Sequence, residues 1–273
     1  MGPASSPLIT YVLRLADDNL VLGQQLGALI SRMPELEEDI AVANIAIDHI
    51  GQARNLYQYV TELEAAVGSE DESSPRSEDD VGSRAAARSE DDLAMLRSER
   101  EFLNAVLVEQ PNGDFANTMV RQFLFDAYQV PLFQELSSSS DKRLAAIAGK
   151  ALKEAMYHLD HSSAWVITLG DGTSESHGRA QAALDDLWRF TADLFAADEV
   201  EDELIGAGVA ADPAAIRPRF DQTVVEVTAT ANLTIPDDGY QRLGGRTGFH
   251  TEHLGHILAE MQHLYRSHPS VSW

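Results

Sequence analysis

The chain has no cysteine in its 273 residues. That excludes disulfides, zinc–thiolate and iron–sulfur sites, and thiol catalysis. It is poor in lysine, with only Lys142, Lys150 and Lys153. Basic residues total 20 against 44 acidic ones, a formal net charge of −24. Such a surface repels nucleic acid and anionic membranes, so neither is an expected partner. A large acid excess with few lysines also suits concentrated salt, where screening removes self-repulsion, and points to a salt-loving host. No run of 18 apolar residues occurs, so no membrane span is expected. The opening "MGPASSPLITYVLRLADDNL" lacks a basic region, a long apolar core and a cleavage site, and reads as no signal peptide. The expected location is the cytoplasm.

Alternating strand patterns are almost absent, and helical periodicity dominates. The spacing predicts helices over 8–32 and from about Pro34 to Val67. The acidic stretch "GSEDESSPRSEDDVGSRAAARSEDD" (68–92), in which "RSEDD" occurs twice, is too polar to offset its ordering entropy and reads as a disordered or loop insertion. Helical pattern resumes at Leu93. Further helices are predicted over about 115–137, after an Asp114 cap and with a kink at Pro131, then 141–170 and 176–197. Residues 198–212 read as loop, 213–230 as shorter pieces, 236–248 as loop, and 250–266 as a last helix. Residues 1–273 thus form one all-α domain, a four-helix bundle with additional C-terminal helices.

Each long helix carries an acid in or near an apolar context. "VLRLADDNLVLG" holds Asp17 and Asp18, "AVANIAIDHIGQARN" holds Asp48, "MVRQFLFDAYQV" holds Asp126 and "ALKEAMYHL" holds Glu154. The second helix is apolar on nearly every face from Ile40 to Ile50, so it should be buried there. Asp18 and Asp48 lie 30 residues apart and Asp126 and Glu154 lie 28 apart, about the spacing that levels two positions in an antiparallel helix pair. This is the plan of a di-iron carboxylate bundle, which takes Glu from two helices and Glu-x-x-His from the other two. Its histidine slots fall at Gly51 and Tyr157. His49 and His158 stand one residue off, rotated by about 100°. The expectation is a degenerate site at Asp18, Asp48, Gly51, Asp126, Glu154 and Tyr157 with no metal and no catalytic residue. Arg54 or Arg121 would then neutralise Asp48, Asp126 and Glu154. His158 and His161, at i and i+3, form the alternative metal pair.

The C-terminal "GFHTEHLGHILAEMQHLYRSH" is rich in histidine, with His250, His253 and His256 stepping by three. It reads as a contact between subunits or, alternatively, a zinc patch. "GGRTG" (244–248) could place Arg246 against a phosphate, but it follows no strand and lacks the spacing of a nucleotide loop. Arg246, His250 and His253 are the candidate interface or ligand-contact residues. No nucleophile elbow, kinase motif or H-E-x-x-H occurs.

Six segments carry a family resemblance: "LRLADDNLVLGQQL", "ELEEDIAVANIAIDHIGQARNL", "LVEQPNGDFANTMVRQFLFDAY", "KEAMYHLDHSSAWVITLGDGT", "LWRFTADLFAADE" and "GGRTGFHTEHLGHILAEMQHL". Together they resemble the PaaC subunits of phenylacetyl-CoA epoxidase, over essentially the whole chain except the acidic insertion. The resemblance implies a ferritin-like fold. It implies a structural, non-catalytic subunit with no cofactor of its own, beside a PaaA-type catalytic subunit that holds the di-iron centre. The complex so implied epoxidises the ring of phenylacetyl-CoA with O2 and electrons from an NADPH-dependent reductase, in aerobic phenylacetate breakdown. Two other readings remain open: a di-iron oxygenase or oxidase in its own right, and a self-assembling metal-storage protein.

Overall fold

The structure, a computed structural model, describes residues 6–70, 87–237, 239–268 and 271. The four long helices are α1 (Pro7–Gly27), α2 (Leu36–Glu70), α4 (Phe115–Leu136) and α5 (Lys142–Gly170). Between α2 and α4 lies the short α3 (Glu90–Met95). After α5 come α6 (Ser174–Trp188), α7 (Glu199–Gly206), α8 (Pro213–Thr230) and α9 (Glu252–Ser267). Among the described residues there is no strand. The architecture is all-helical and ferritin-like: α1 packs most extensively on α2, and α4 on α5. The chain's later helices then cover the bundle, α6 and α8 against α4, and α7 and α9 against α1.

Local chemistry sets the helix ends. Asp114 caps α4 through Asn117 N at 2.9 Å, and Asp141 caps α5 through Leu144 N at 2.8 Å. Pro7 and Pro213 start α1 and α8, where a missing N–H costs nothing. In α5 the residues Leu144, Ile147, Ala148, Ala151, Ala155, His158, Ser162 and Val166 are buried, one stripe at helical spacing. α1 differs, being buried on every side from Tyr11 to Gly23.

Several sequence expectations change. The helix expected over 8–32 ends at Gly27, and the one expected over 176–197 ends at Trp188, with a separate 3-10 turn over Thr191–Phe195. Residues 198–212 contain α7, because Asp198 and Glu201 form a capping box that starts a helix there. Residues 213–230 form one helix rather than pieces; Pro218 sits near its N-terminal end. The acidic insertion is also narrower than 68–92. α2 runs to Glu70, and the second "RSEDD" is itself a helix start, with Ser89 and Asp92 reciprocally capping α3. Arg88 pairs back to Glu64. The insertion's central residues, 71–86, lie outside the described residues.

A buried strap without regular structure, residues 102–110, crosses the bundle beside α1. Phe102, Asn104, Ala105, Val106, Leu107, Val108 and Glu109 are fully buried. Backbone buried outside a helix needs other partners, and here carboxylates supply them. Asp17 accepts from Leu103 N at 2.8 Å, Asp18 from Ala105 N at 2.7 Å and Asp193 from Val106 N at 2.9 Å. The acids that stand out in α1 are therefore anchors for this strap.

Candidate metal centre of the bundle

The middle of the bundle is polar, and all four long helices contribute. α1 brings Asn19. α2 brings His49 and Gln52 at i and i+3. α4 brings Gln122, Asp126 and Gln129 at i, i+4 and i+7, and α5 brings His158 and Ser162 at i and i+4. These spacings put each set on one helix face. All eight residues are buried, and His49, Asp126, His158 and Ser162 have no exposed surface.

Hydrogen bonds join them. Asn19 Oδ1 faces His49 Nδ1 at 2.9 Å and accepts from Gln129 Nε2 at 2.9 Å. Gln122 Nε2 lies 3.2 Å from His49 Nε2 and donates to Asp126 Oδ1 at 2.7 Å. Ser162 Oγ donates to the other Asp126 oxygen at 2.7 Å. Towards the rim, Gln52 donates to Glu154 at 2.9 Å and His158 Nε2 donates to Asp48 at 3.1 Å. Further along, Glu38 binds both His161 Nε2, at 2.9 Å, and Trp165 Nε1, at 2.8 Å.

Burial decides the protonation here. It pushes the Asp126 carboxyl well above the usual carboxylate range, against the opposing bonds from Ser162 and Gln122. Burial, with the neighbouring His158 ring, holds His49 well below the ordinary imidazole value. His158 is lowered by burial too, although Asp48 works the other way. The centre is thus built around neutral imidazoles.

The structure corrects the helical phase of the sequence-based site. His49 and His158 point inward, whereas Gly51 has open space around its Cβ direction and Tyr157 is 56% exposed. Asp48 and Glu154 sit on the rim, half-buried. Asp18 is buried but away from the centre, in a two-pronged pair with Arg246, 2.9 Å on each side. Of the four acids expected as remnant ligands, only Asp126 reaches the middle. The expected arginine partners go elsewhere. Arg54 pairs with Glu90 on the surface, and Arg121 binds the Gln110 carbonyl and Asn112 Oδ1. With no acid beside it, burial pushes the Arg121 pKa down to about 10.

A ferritin-type di-iron centre draws on four carboxylates and two imidazoles. This centre offers two imidazoles and one carboxylate, with amides in the remaining places, so its donors do not fit an iron pair. The amides Asn19, Gln52, Gln122 and Gln129 escape sequence reasoning. Their signal is a polar residue at each i, i+4 or i+7 step of an apolar run, but a di-iron template weighs only acids and histidines.

The C-terminal candidates separate. Arg246 is committed to Asp18, which outweighs burial and raises the guanidinium pKa, so it offers no free charge to a phosphate. The His250 side chain is fully buried, with Nδ1 donating to Glu109 at 2.8 Å and Nε2 to the Phe102 carbonyl at 2.8 Å. His253 is half-buried and His256 exposed on α9.

One surface stands apart. The outer side of α2 shows Leu36, Ile40 and Ile47, with Ile50 at its edge, and the outer side of α5 shows Met156 and Tyr157. The segment Ile40–Ile50, expected to be buried all round, is thus apolar on two faces, one of them in solvent; Ile47 is 66% exposed.

The sequence profile of the family described as "Phenylacetic acid catabolic protein" matches residues 3–273. The chain is 46% identical over 266 residues to the C subunit of the 1,2-phenylacetyl-CoA epoxidase of Escherichia coli (strain K12); the match covers 97% of this chain and 99% of that protein.

Proposed function

Because the chain belongs to the phenylacetic acid catabolic protein family, we propose that it is the C subunit of a phenylacetyl-CoA epoxidase, a structural partner of a PaaA-type catalytic subunit. In this reading it works in the cytoplasm, in aerobic phenylacetate breakdown, and the oxygen-activating di-iron centre belongs to the partner. The observation that carries the structural role is the donor set of the bundle centre. A single carboxylate, Asp126, stands among four amides, and it cannot balance two ferric ions. A di-iron oxygenase in its own right would need the acids that this centre replaces.

The exposed aliphatic side of α2 supports the same role. Monomers seldom leave a large contiguous apolar patch in water, and such patches mark docking sites. Isoleucines and a leucine on a rigid helix suit an obligate, largely apolar interface with a related helical subunit. Among the described residues no helix is long and apolar enough to cross a membrane, and a formal net charge of −24 disfavours an anionic membrane surface, so a protein partner is the proposed occupant.

The test is co-expression with the catalytic subunit. Ile40→Glu/Ile47→Glu should abolish co-purification, and with it turnover, while the isolated variant keeps its helical content and urea midpoint. Asp126→Asn should leave turnover of the assembled complex within about twofold. Loss of turnover in an Asp126→Asn complex of unchanged assembly and unchanged partner iron would overturn the non-catalytic role. Intact complex from the Ile40→Glu/Ile47→Glu variant would overturn the docking face.

A further inference from the structure

Three potential metal donors, His49, Asp126 and His158, converge in the bundle centre. Gln122 Nε2 donates to Asp126 Oδ1 and lies 3.2 Å from His49 Nε2, and of the three only His158 keeps a ring nitrogen without a partner. Asn19 Nδ2 donates to the Leu15 carbonyl at 2.8 Å, which fixes the amide and leaves Oδ1 for His49 Nδ1. An amide oxygen only accepts, so His49 carries its proton on Nδ1 and its lone pair on Nε2. His158 is the reverse case. Its Nε2 faces the Asp48 carboxylate, so Nε2 holds the proton, and Nδ1 keeps a lone pair that is buried and without a partner. Asp126 supplies the third donor. One ligand atom from each of His49, Asp126 and His158 lies within 4.8 Å of the others.

We propose that His49, Asp126 and His158 bind one divalent first-row transition ion of the zinc(II) or iron(II) class. Two imidazoles and a carboxylate are a donor set that such ions prefer and that magnesium and calcium do not. Bonds of about 2.0–2.1 Å put tetrahedral donors roughly 3.3 Å apart, so the donor–donor separations, now up to 4.8 Å, shrink by at most about 1.5 Å on binding. The Gln122 amide is the fourth donor. Its Oε1 is buried without a partner, and a half-turn of the amide brings it to the position where Nε2 now meets His49 and Asp126.

The surroundings are those of a ligand shell. Each of the three ligands is held by a second group: His158 by Asp48, His49 by Asn19, and Asp126 by Ser162. Partners of this kind set the tautomer and orientation of metal-bound histidines. A proton on Asp126, with the Gln122 amide as it stands, is the competing way to fill the centre, but it leaves His158 Nδ1 buried without a partner. A single cation engages all three donors and neutralises the carboxylate. The ion would tie α2, α4 and α5 together and needs no open coordination position, so its role is structural. It is distinct from a di-iron centre in its ligands and its count.

The test uses the full chain, stripped with a chelator, dialysed, and titrated with Co2+ alone. Expected is one Co2+ per chain with the visible d–d bands of a four- or five-coordinate nitrogen–oxygen site, displaced by one equivalent of Zn2+. Asp126→Asn should weaken binding at least about 100-fold. Asp48→Asn, which touches no metal and sits on the rim, should weaken it about 10–100-fold with unchanged helical content, and it carries the test if Asp126→Asn does not fold. Less than about 0.1 Co2+ per chain would overturn the proposal and leave Asp126 protonated in a metal-free core. So would bands that survive both substitutions but vanish in His253→Gln/His256→Gln, since the ion would then sit on the surface of α9.

Discussion

Replacing Arg246 by methionine removes the guanidinium while keeping most of the side-chain length. In the native fold Arg246 meets both Asp18 oxygens at 2.9 Å, and its Nη1 also reaches the carbonyls of Arg14 and Leu103 at 3.3 Å. Asp18 is buried, and without Arg246 its remaining donor here is Ala105 N at 2.7 Å. Breaking a buried pair from one side costs about 3–5 kcal/mol, because a charge is left uncompensated. Set against a total stability of about 5–15 kcal/mol, that is about a fifth or more of the fold. Asp18→Asn, which strands the guanidinium instead, should cost a similar amount. The double variant strands neither charge, and the amide oxygen introduced by Asp18→Asn can still accept from Ala105 N. Its cost should therefore fall short of the sum of the two singles by at least about 2 kcal/mol. Urea unfolding of the isolated chain, followed by far-UV circular dichroism, measures all three. Additivity within about 0.5 kcal/mol would refute the reasoning, since it would mean that carboxylate and guanidinium are solvated independently.

His250 yields a pH dependence. Both of its ring nitrogens face acceptors, so the bound form is the imidazolium; burial opposes the charge, Glu109 favours it, and the pKa is raised. A raised pKa gives stability that is complete below the ordinary value of about 6.5 and is lost as pH climbs through the folded value. Urea midpoints should thus fall between pH 6 and pH 9 in the native chain and fall less in His250→Gln; parallel curves would contradict the assignment. At Gly245 a Cβ would run into the Asn104 carbonyl and lie 2.8 Å from an Asp193 oxygen and 3.0 Å from Val106 N. Gly245→Ala should destabilise by about 2–3 kcal/mol in the same assay, and a loss under about 0.5 kcal/mol would show that the strap moves freely.

The helices are legible in the sequence because their signals are local. Asp114 caps α4 as expected, and the periodicity of α5 is clean. The phase of α2 is not legible. Val42, Ile45, Ala46, His49, Ala53 and Leu56 form its buried stripe, but Ile40, Ile47 and Ile50 add apolar residues on other sides and blur it. Anchoring the phase on acids, as the di-iron template invites, then turns α2 and α5 by one residue and puts His49 and His158 on the wrong face. A helix with one face for its own core and another for a partner has no single amphipathic direction to read. The pairing of Asp18 with Arg246 is hidden for another reason. Their separation of 228 residues leaves no local trace, and only the closed fold shows why an acid stands in the middle of α1.

That separation also sets a timetable for synthesis. α1 leaves the ribosome before the other helices of the bundle, yet its buried groups wait for distant partners: Asp17 for Arg97, Arg14 for Asp198 and Glu201, and Asp18 for Arg246. At about 5–20 residues per second the last of these arrives on the order of 10–50 s after Asp18. Until then α1 must either stay in water or bury a naked carboxylate. The earliest helix of the bundle is therefore the last to be sealed, and a nascent chain stalled before Arg246 would hold its bundle open along the α1 side.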